Sequence, residues 1–364
     1  MDNKTQYQCE LLGNRLSKRY KHLKKWAKRS NVNCFRLYDK DIPEIPLAID
    51  LYETETSMPG ETGTFYVQVA LYKRPYEKDQ IDENLWLEAM KNQIAFTLSV
   101  PQENIVIKTR QQQKGENQYE KLGDKKLEFI VKENGLRFLV NLSDYIDTGL
   151  FFDHRPLRKK VQQTAEKKSV LNLFCYTGAF SVYAASGKAK SVTSVDLSKK
   201  YLDWAKNNLK LNGYSDEAKY QFVASDVKTF LENDKNQYDI IVLDPPTFSN
   251  SKKTETTLDI NRDWPELVGL CCKRLSKNGI LYFSTNSRKI RFEEDKLPVG
   301  FFGKDITDST IPEDFRNMKI HQAWEIKSGE FSSDLKFVEK GKSQKVEEQE
   351  TQNTKTEKIQ EIRY

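Results

Sequence analysis

Apolar positions recur along this chain at two different periods, and the change from one to the other divides it. In residues 11–30, Leu12, Leu16, Tyr20, Leu23 and Ala27 follow one another at spacings of four and three. That spacing makes one apolar stripe on a helix whose other faces carry Lys and Arg, with Asn31 as a stop. Residues 34 to about 150 mix periods. CFRLY, FYVQVALY and NIVIKTR read as extended, ENLWLEAMKNQIAFTLSV reads as helical, and EFIV-KENG-LRFLV has the chemistry of a hairpin. From Val170 onward short apolar runs alternate regularly with helical segments: VLNLF, SVTSVD, YQFVASD, YDIIVLD and GILYFSTN, separated by AFSVYAAS, YLDWAKNNLKLNG and a helix around Pro265–Leu275. Strands and helices alternating in this way predict an α/β fold, a doubly wound parallel sheet with helices on both faces. IPEDFRNMKIHQAWEIK offers a last, antiparallel strand. Residues 331–364 hold seven acids, seven bases and few large apolar groups, the composition of a disordered tail. The expected organisation is therefore a basic helical region at 1–33, a smaller α+β domain at 34–155, the doubly wound domain at 156–330 and a tail at 331–364.

Charge refines this picture. The net charge of the 364 residues is +6. Residues 1–30 hold nine Lys/Arg against two acids and so carry +7, leaving −1 for the remaining 334. Between Arg15 and Arg29 there are eight bases and no acid, which points to a polyanionic partner for this end, with Lys24, Lys25 and Lys28 positioned on its phosphates. No signal-like apolar segment opens the sequence, and no stretch nears the roughly 18 apolar residues of a membrane span. Five cysteines at irregular spacing without a C-x-x-C pair, and three scattered histidines, predict neither a disulfide framework nor a metal centre. The expectation is a cytoplasmic protein without a metal.

In a doubly wound sheet, ligands lie at the carboxyl ends of the strands. Those ends hold Asn172, Phe174, Cys175, Tyr176, Thr177 and Gly178 after the first run, Asp196-Leu197 after the second, Asp226-Val227 after the third and Asp244-Pro245-Pro246 after the fourth. Any one Asp could be the N-cap of the helix that follows, but three in succession predict a ligand site. The CYTGAF turn has one glycine where a dinucleotide site has G-x-G-x-x-G, so no close approach of a pyrophosphate is built. S-adenosylmethionine, with a ribose for Asp196 and an adenine for Asp226 but no phosphate, is the expected cofactor. DPPTF makes a stiff turn that aims Asp244 into the cleft and leaves Phe248 to stack on a flat base. Methylation at a pyrimidine carbon needs a Cys nucleophile. Thr247 and Ser284-Thr285-Asn286 occupy the places where it would stand, which favours a nitrogen acceptor.

NRLSKRYKHLKKWAK, CFRLYDKDIPE, QKGENQYEKLG, DYIDTGLFFDHR, VLNLFCYTGAFSVYAA, DPPTFSNSKK, FSTNSRKIRF and DFRNMKIHQAWEI together resemble the RlmK unit, the C-terminal half of bacterial large-subunit rRNA methyltransferases of the RlmKL family, over residues 10–326. The resemblance implies a class I methyltransferase fold preceded by a smaller α+β RNA-contacting domain, and S-adenosylmethionine-dependent methylation of nitrogen 7 of a 23S rRNA guanine. The family's THUMP domain and guanine-N2 methyltransferase have no counterpart here, which implies the nitrogen 7 reaction alone. Under this reading the catalytic residues are Asp244, Pro245, Pro246 and Phe248. The cofactor residues are Asn172, Phe174, Tyr176, Thr177, Gly178, Asp196, Leu197, Asp226, Val227 and Asp244. RNA contacts fall to Arg15, Lys18, Lys24, Lys25 and Lys28, to Arg155 in the Asp153-His154-Arg155 run and to Arg288, with Gln113–Tyr119 as a further polar loop. The rival readings are a guanine-N2 or cytosine-C5 methyltransferase and a catalytically silent RNA-binding assembly factor.

Overall fold

The computed structural model describes residues 2–56, 61–74, 76, 78–110, 126–249 and 257–329. The loop Gln113–Tyr119 and the tail at 331–364 lie outside the described residues. Helix α1 (Asn3–Ser30) ends at Asn31 in the left-handed region, as its sequence predicts, but starts eight residues before the helical span expected at 11–30. Asp2 caps it by accepting from the Thr5 N–H. Its added turns bury Gln8, whose amide oxygen accepts from Trp86 Nε1 at 2.7 Å. A polar residue satisfied inside the packed face interrupts the apolar period, which is why the pattern misses these turns.

The first sheet runs in the order β1 (Cys34–Asp39), β2 (Leu47–Glu53), β3 (Phe65–Tyr72), β4 (Ile105–Arg110). β1, β2 and β3 pair antiparallel; β3 and β4 pair parallel across the helix α2 (Gln80–Leu98). α1 and α2 bury Leu12, Leu16, Leu23, Trp86 and Ile94 in one core with this sheet, so the basic helix is part of that body and not a separate arm. β5 (Glu128–Glu133) and β6 (Leu136–Asn141) form the expected hairpin, with Asn134 and Gly135 at φ +50° and +80° in its two-residue turn. Its Val131, Phe138 and Val140 pack with Val170 and Phe180, placing the hairpin in the core of the second sheet.

That second sheet has seven strands in the order β14-β15-β13-β10-β7-β8-β9. After α3 (Arg155–Thr164) come β7 (Ser169–Leu173), α4 (Ala179–Ser186), β8 (Ser191–Asp196), α5 (Lys199–Leu211), β9 (Tyr220–Ala224), α6 (Val227–Asn233) and β10 (Tyr238–Leu243). A two-stranded ribbon, β11 (Phe248–Ser249) with β12 (Leu258–Asp259), leads to α7 (Ile260–Arg274), β13 (Leu275–Thr285), β14 (Phe301–Asp305), α8 (Thr307–Thr310) and β15 (Gln322–Ser328). The five strands from β13 to β9 are parallel; β15 is antiparallel to β13, as its sequence suggests, and β14 is antiparallel to β15. The chain order reverses between β7 and β10, so the crevice at their carboxyl ends is the expected ligand position. All these elements belong to one compact unit, Met1–Ser328. Among the described residues no helix is long and apolar enough to cross a membrane.

Buried charge joins the two sheets. Glu133, fully buried at the end of β5, accepts from Arg155 Nε at 2.9 Å, Arg158 Nε at 2.8 Å and the Tyr183 hydroxyl at 2.9 Å. Arg155 also donates to Asp314 at 2.6 Å and to the Cys34 carbonyl at 3.0 Å, and Asp314 accepts from the Arg36 N–H. Two guanidinium groups thus face two carboxylates away from water, an arrangement that holds only while every member is paired. Glu133→Gln keeps the shape but leaves both arginines without their shared counter-ion. Urea unfolding of that variant is expected to lose about 3–5 kcal/mol relative to the parent.

Candidate functional site

The loop after β7 is built under backbone strain. Phe174 and Tyr176 hold φ at +51° and +49°, and Gly178 holds +74° at the start of α4. A Cβ on Gly178 would lie 2.6 Å from that of Ala205, so only glycine lets α4 approach α5 here. Three of the loop's amides are already committed, two of them to β8. Cys175 N–H donates to the Val195 carbonyl, Gly178 N–H to the Cys175 carbonyl and Tyr176 N–H to Asp196 Oδ2 at 2.9 Å. A phosphate would need those donors, whereas the hydroxyls and amino group of an adenosine need acceptors. Thr177 is buried and donates to the Gly149 carbonyl. Tyr176 packs against Phe151, Tyr201 and Trp204, forming an aromatic wall beside the loop.

Asp196, half-buried at the end of β8, accepts from Tyr176 and Ser198 amides on its two oxygens. Burial raises its carboxyl against the pull of those amides. Each oxygen keeps a lone pair for a donor such as a ribose hydroxyl. Leu197 is half-buried beside it. Asp226 is the N-cap of α6, with Oδ1 accepting from the Thr229 N–H, so the helix-cap role weighed from the sequence is real for this residue. Asn172 is buried and donates to Ser181 on α4, and Val227 is buried in the core; both support the site from beneath it.

At the end of β10, Asp244 is held by two groups from elsewhere in the fold. Its Oδ1 accepts from Ser284 Oγ of β13 at 2.7 Å and lies 3.1 Å from His154 Nε2. His154 is 3% exposed, with Nδ1 3.2 Å from Asp153 Oδ2. Both contacts lie off the lines of the ring N–H bonds, so they act as charge attraction more than as hydrogen bonds. Burial opposes a charge on His154, but the carboxylates of Asp244 and Asp153 outweigh it and hold the imidazolium up to about 10. His321 stacks on it with ring centroids 4.6 Å apart, and its Nε2 pairs with Thr310 Oγ1 at 2.9 Å. Burial and the neighbouring imidazolium push His321 down, so one ring of the stack is charged and the other neutral. Asp153, His154 and His321 place one ligand atom each within 4.8 Å of one another, close enough for a metal, and a metal there would have to displace the proton that the two carboxylates favour on His154. Burial disfavours the charge on Asp244, yet His154 and Ser284 prevail and keep its carboxyl below the usual range. The side chain stays 27% exposed, and among the described residues no donor reaches Oδ2.

Pro245 is buried, Pro246 half-buried and Phe248 54% exposed at the mouth of an open pocket of about 390 Å³. Thr247, Asp259, Asn261 and Asn286–Lys289 line the rest, which brings Arg288 to the same opening as the DPPTF turn. On α1, Lys18, Lys24, Lys25 and Lys28 are exposed, and half-buried Arg15 lies 3.5 Å from Asp41. Arg155 is a correction to the sequence expectation. It is 3% exposed, with its guanidinium engaged by Glu133, Asp314 and Cys34, so no phosphate can reach it. All five cysteines are buried, and burial pushes the Cys175 thiol well up, so none is placed as a nucleophile. The sequence reading placed Ser284 at the end of the fifth strand without giving it a role, and it passed over His321. Neither stands out by spacing, since only the closure of β13 and β15 onto β10 brings them to Asp244.

The model of the S-adenosylmethionine-dependent methyltransferase family matches residues 62–280. The chain is 46% identical over 317 residues to the "Ribosomal RNA large subunit methyltransferase K" of Neisseria meningitidis serogroup B, covering 86% of both chains. It is also 46% identical over 318 residues to the "Ribosomal RNA large subunit methyltransferase K/L" of Pseudomonas paraeruginosa, covering 87% of this chain but only 42% of that protein. Among solved structures, a methyltransferase in complex with SAH superposes with a TM-score of 0.66 at 23% identity, over 88% of this chain and 81% of that one. A SAM-dependent methyltransferase from Streptococcus mutans gives 0.64 at 21% identity, with the same coverage. These two likenesses carry the class I methyltransferase fold. Gly178→Ala is expected to cost about 1–3 kcal/mol in thermal unfolding through its φ and the clash with Ala205. The same variant should weaken SAH binding in calorimetry.

Proposed function

Because this chain belongs to the family of S-adenosylmethionine-dependent methyltransferases, we propose that it methylates nitrogen 7 of a guanine in large-subunit ribosomal RNA. The relatives named for the large-subunit rRNA support the substrate class. The observation that carries the choice of atom is the chemistry around Asp244. It offers an ionised acceptor beside a histidine that already bears its proton, so that imidazole is not available to take one from the base. Nitrogen 7 has a free lone pair and loses no proton on methylation, whereas an exocyclic amine must shed one. The absence of an accessible thiol among the five cysteines counts against a cytosine-C5 reaction.

Bound S-adenosylmethionine supplies an electrophilic methyl group on a sulfonium sulfur. The chain's work is placement. Asp196 receives the ribose hydroxyls, and the oxygen of Asp226 not used to cap α6 receives the adenine amino group. Phe174 to Gly178 form the wall along the cofactor. The target base, unstacked from its strand, enters the pocket against Phe248, with Asp244 on one edge and Arg288 on an adjacent phosphate. The exposed lysines of α1 bind backbone phosphates and set affinity without choosing sequence.

The test is incubation with labelled S-adenosylmethionine and 23S rRNA lacking its native methyl groups, then digestion and mass spectrometry of the nucleosides. 7-Methylguanosine is the expected product; N2-methylguanosine or 5-methylcytidine would replace this reading. Exchange of Lys24, Lys25 and Lys28 for Gln should weaken RNA binding and flatten its logarithmic salt dependence by about 0.7–0.9 for each phosphate that the variant no longer neutralises. SAH binding should be unchanged in the same variant.

A further inference from the structure

We propose that His154 is a positioning residue that, with Ser284, pins one oxygen of Asp244 and so aims the other at the N1–H and N2–H edge of the target guanine. The inference rests on the guanine reading above and adds a geometric task for His154, which that reading uses only for its charge. Both contacts on Asp244 converge on Oδ1: Ser284 Oγ at 2.7 Å and His154 Nε2 at 3.1 Å. Oδ2 is the oxygen no donor among the described residues reaches, in a side chain still 27% exposed. A carboxylate with one oxygen tied and one open is a directed acceptor, and guanine's edge presents adjacent N–H donors to it.

The groups facing His154 explain why it can hold this place. Asp153 lies on one side and Asp244 on the other, His321 stacks on its face and the Phe180 ring meets it edge-on. The neighbouring guanidinium of Arg155 is turned away to Glu133 and Asp314 and does not compete. Two carboxylates against one imidazolium keep the ring charged, and His321, pushed toward neutrality, adds no second proton to the stack.

This arrangement bears directly on the methyl transfer. The lone pair of guanine nitrogen 7 forms the new N–C bond, the C–S pair returns to sulfur as a neutral thioether, and the positive charge passes to the base. No proton leaves. An ionised Asp244 against the far edge of that base stabilises the charge as it develops, which is where a fixed charge contributes most to rate. A protonated Asp244 would be neutral and its free oxygen a poorer acceptor.

The experiment compares single-turnover pH–rate profiles of the parent protein, His154→Gln and Ser284→Ala on the same RNA, alongside SAH calorimetry. In His154→Gln a polar side chain remains but the charge is gone, so the Asp244 carboxyl rises and activity on the acid side fails at a higher pH than in the parent. The rate should fall about 10- to 100-fold with SAH affinity retained. Ser284→Ala should lower the rate with a smaller movement of the acid limb, because it removes a hydrogen bond and leaves the imidazolium. An acid limb that superposes on the parent's in His154→Gln overturns the proposal, whatever the product. Loss of 7-methylguanosine as the parent's product overturns the target reading instead, so the two failures are distinct. Should His154→Gln not fold, 15N-histidine NMR of the parent decides: an imidazole protonated on both nitrogens at pH 8 is expected. A neutral ring there, or stoichiometric metal copurifying with the protein, overturns the assignment.

Discussion

Glu133 joins the parts of this architecture through buried charge. A fully buried carboxylate takes Arg155, Arg158 and Tyr183 at once, and Arg155 passes the connection on to Asp314 and the Cys34 carbonyl. The partners come from the β5–β6 hairpin, α3, α4, β1 and the segment before β15, and the Arg155 guanidinium also lies over the Trp26 ring of α1 at 5.2 Å. Apolar packing tolerates small displacements, but buried charges at hydrogen-bonding distance do not, since an unpaired member has no water to turn to. The four-stranded sheet and the seven-stranded sheet are therefore held in one relation to each other.

That constraint reaches the site through a single peptide bond. Arg155 is locked into the charge network, and His154 immediately before it is consequently held over Asp244. Asp153 completes the run by keeping the imidazole charged from the other side. Three consecutive residues thus tie structural electrostatics to the acceptor at the end of β10. The rest of the site follows the same division of labour: Gly178 lets α4 close on α5, the strained Phe174–Gly178 loop commits three of its amides, and Asp196 is left with acceptor capacity. A site rich in acceptors suits transfer to a nucleophile that already owns its lone pair.

The sequence by itself determined the period-bearing parts of this protein. Five parallel strands, the β5–β6 turn, the stop at Asn31 and the strand-end positions of Asp196, Asp226 and Asp244 are legible because each depends on local periodicity or local turn chemistry. Helix α1 was legible only where its stripe is apolar, and its first turns escaped because Gln8 is satisfied by Trp86 from a distant helix. Only the tertiary structure decided which charges are buried and which are free. Arg155 and Lys24 look alike as bases along the chain, yet one is locked between carboxylates and the other is exposed on α1. His154, Ser284 and His321 lie far apart along the chain and meet at Asp244 only when β13 and β15 pair beside β10. The physical reason is range: periodicity and caps act over a few residues, whereas burial and charge pairing depend on what the whole fold brings within a few ångströms.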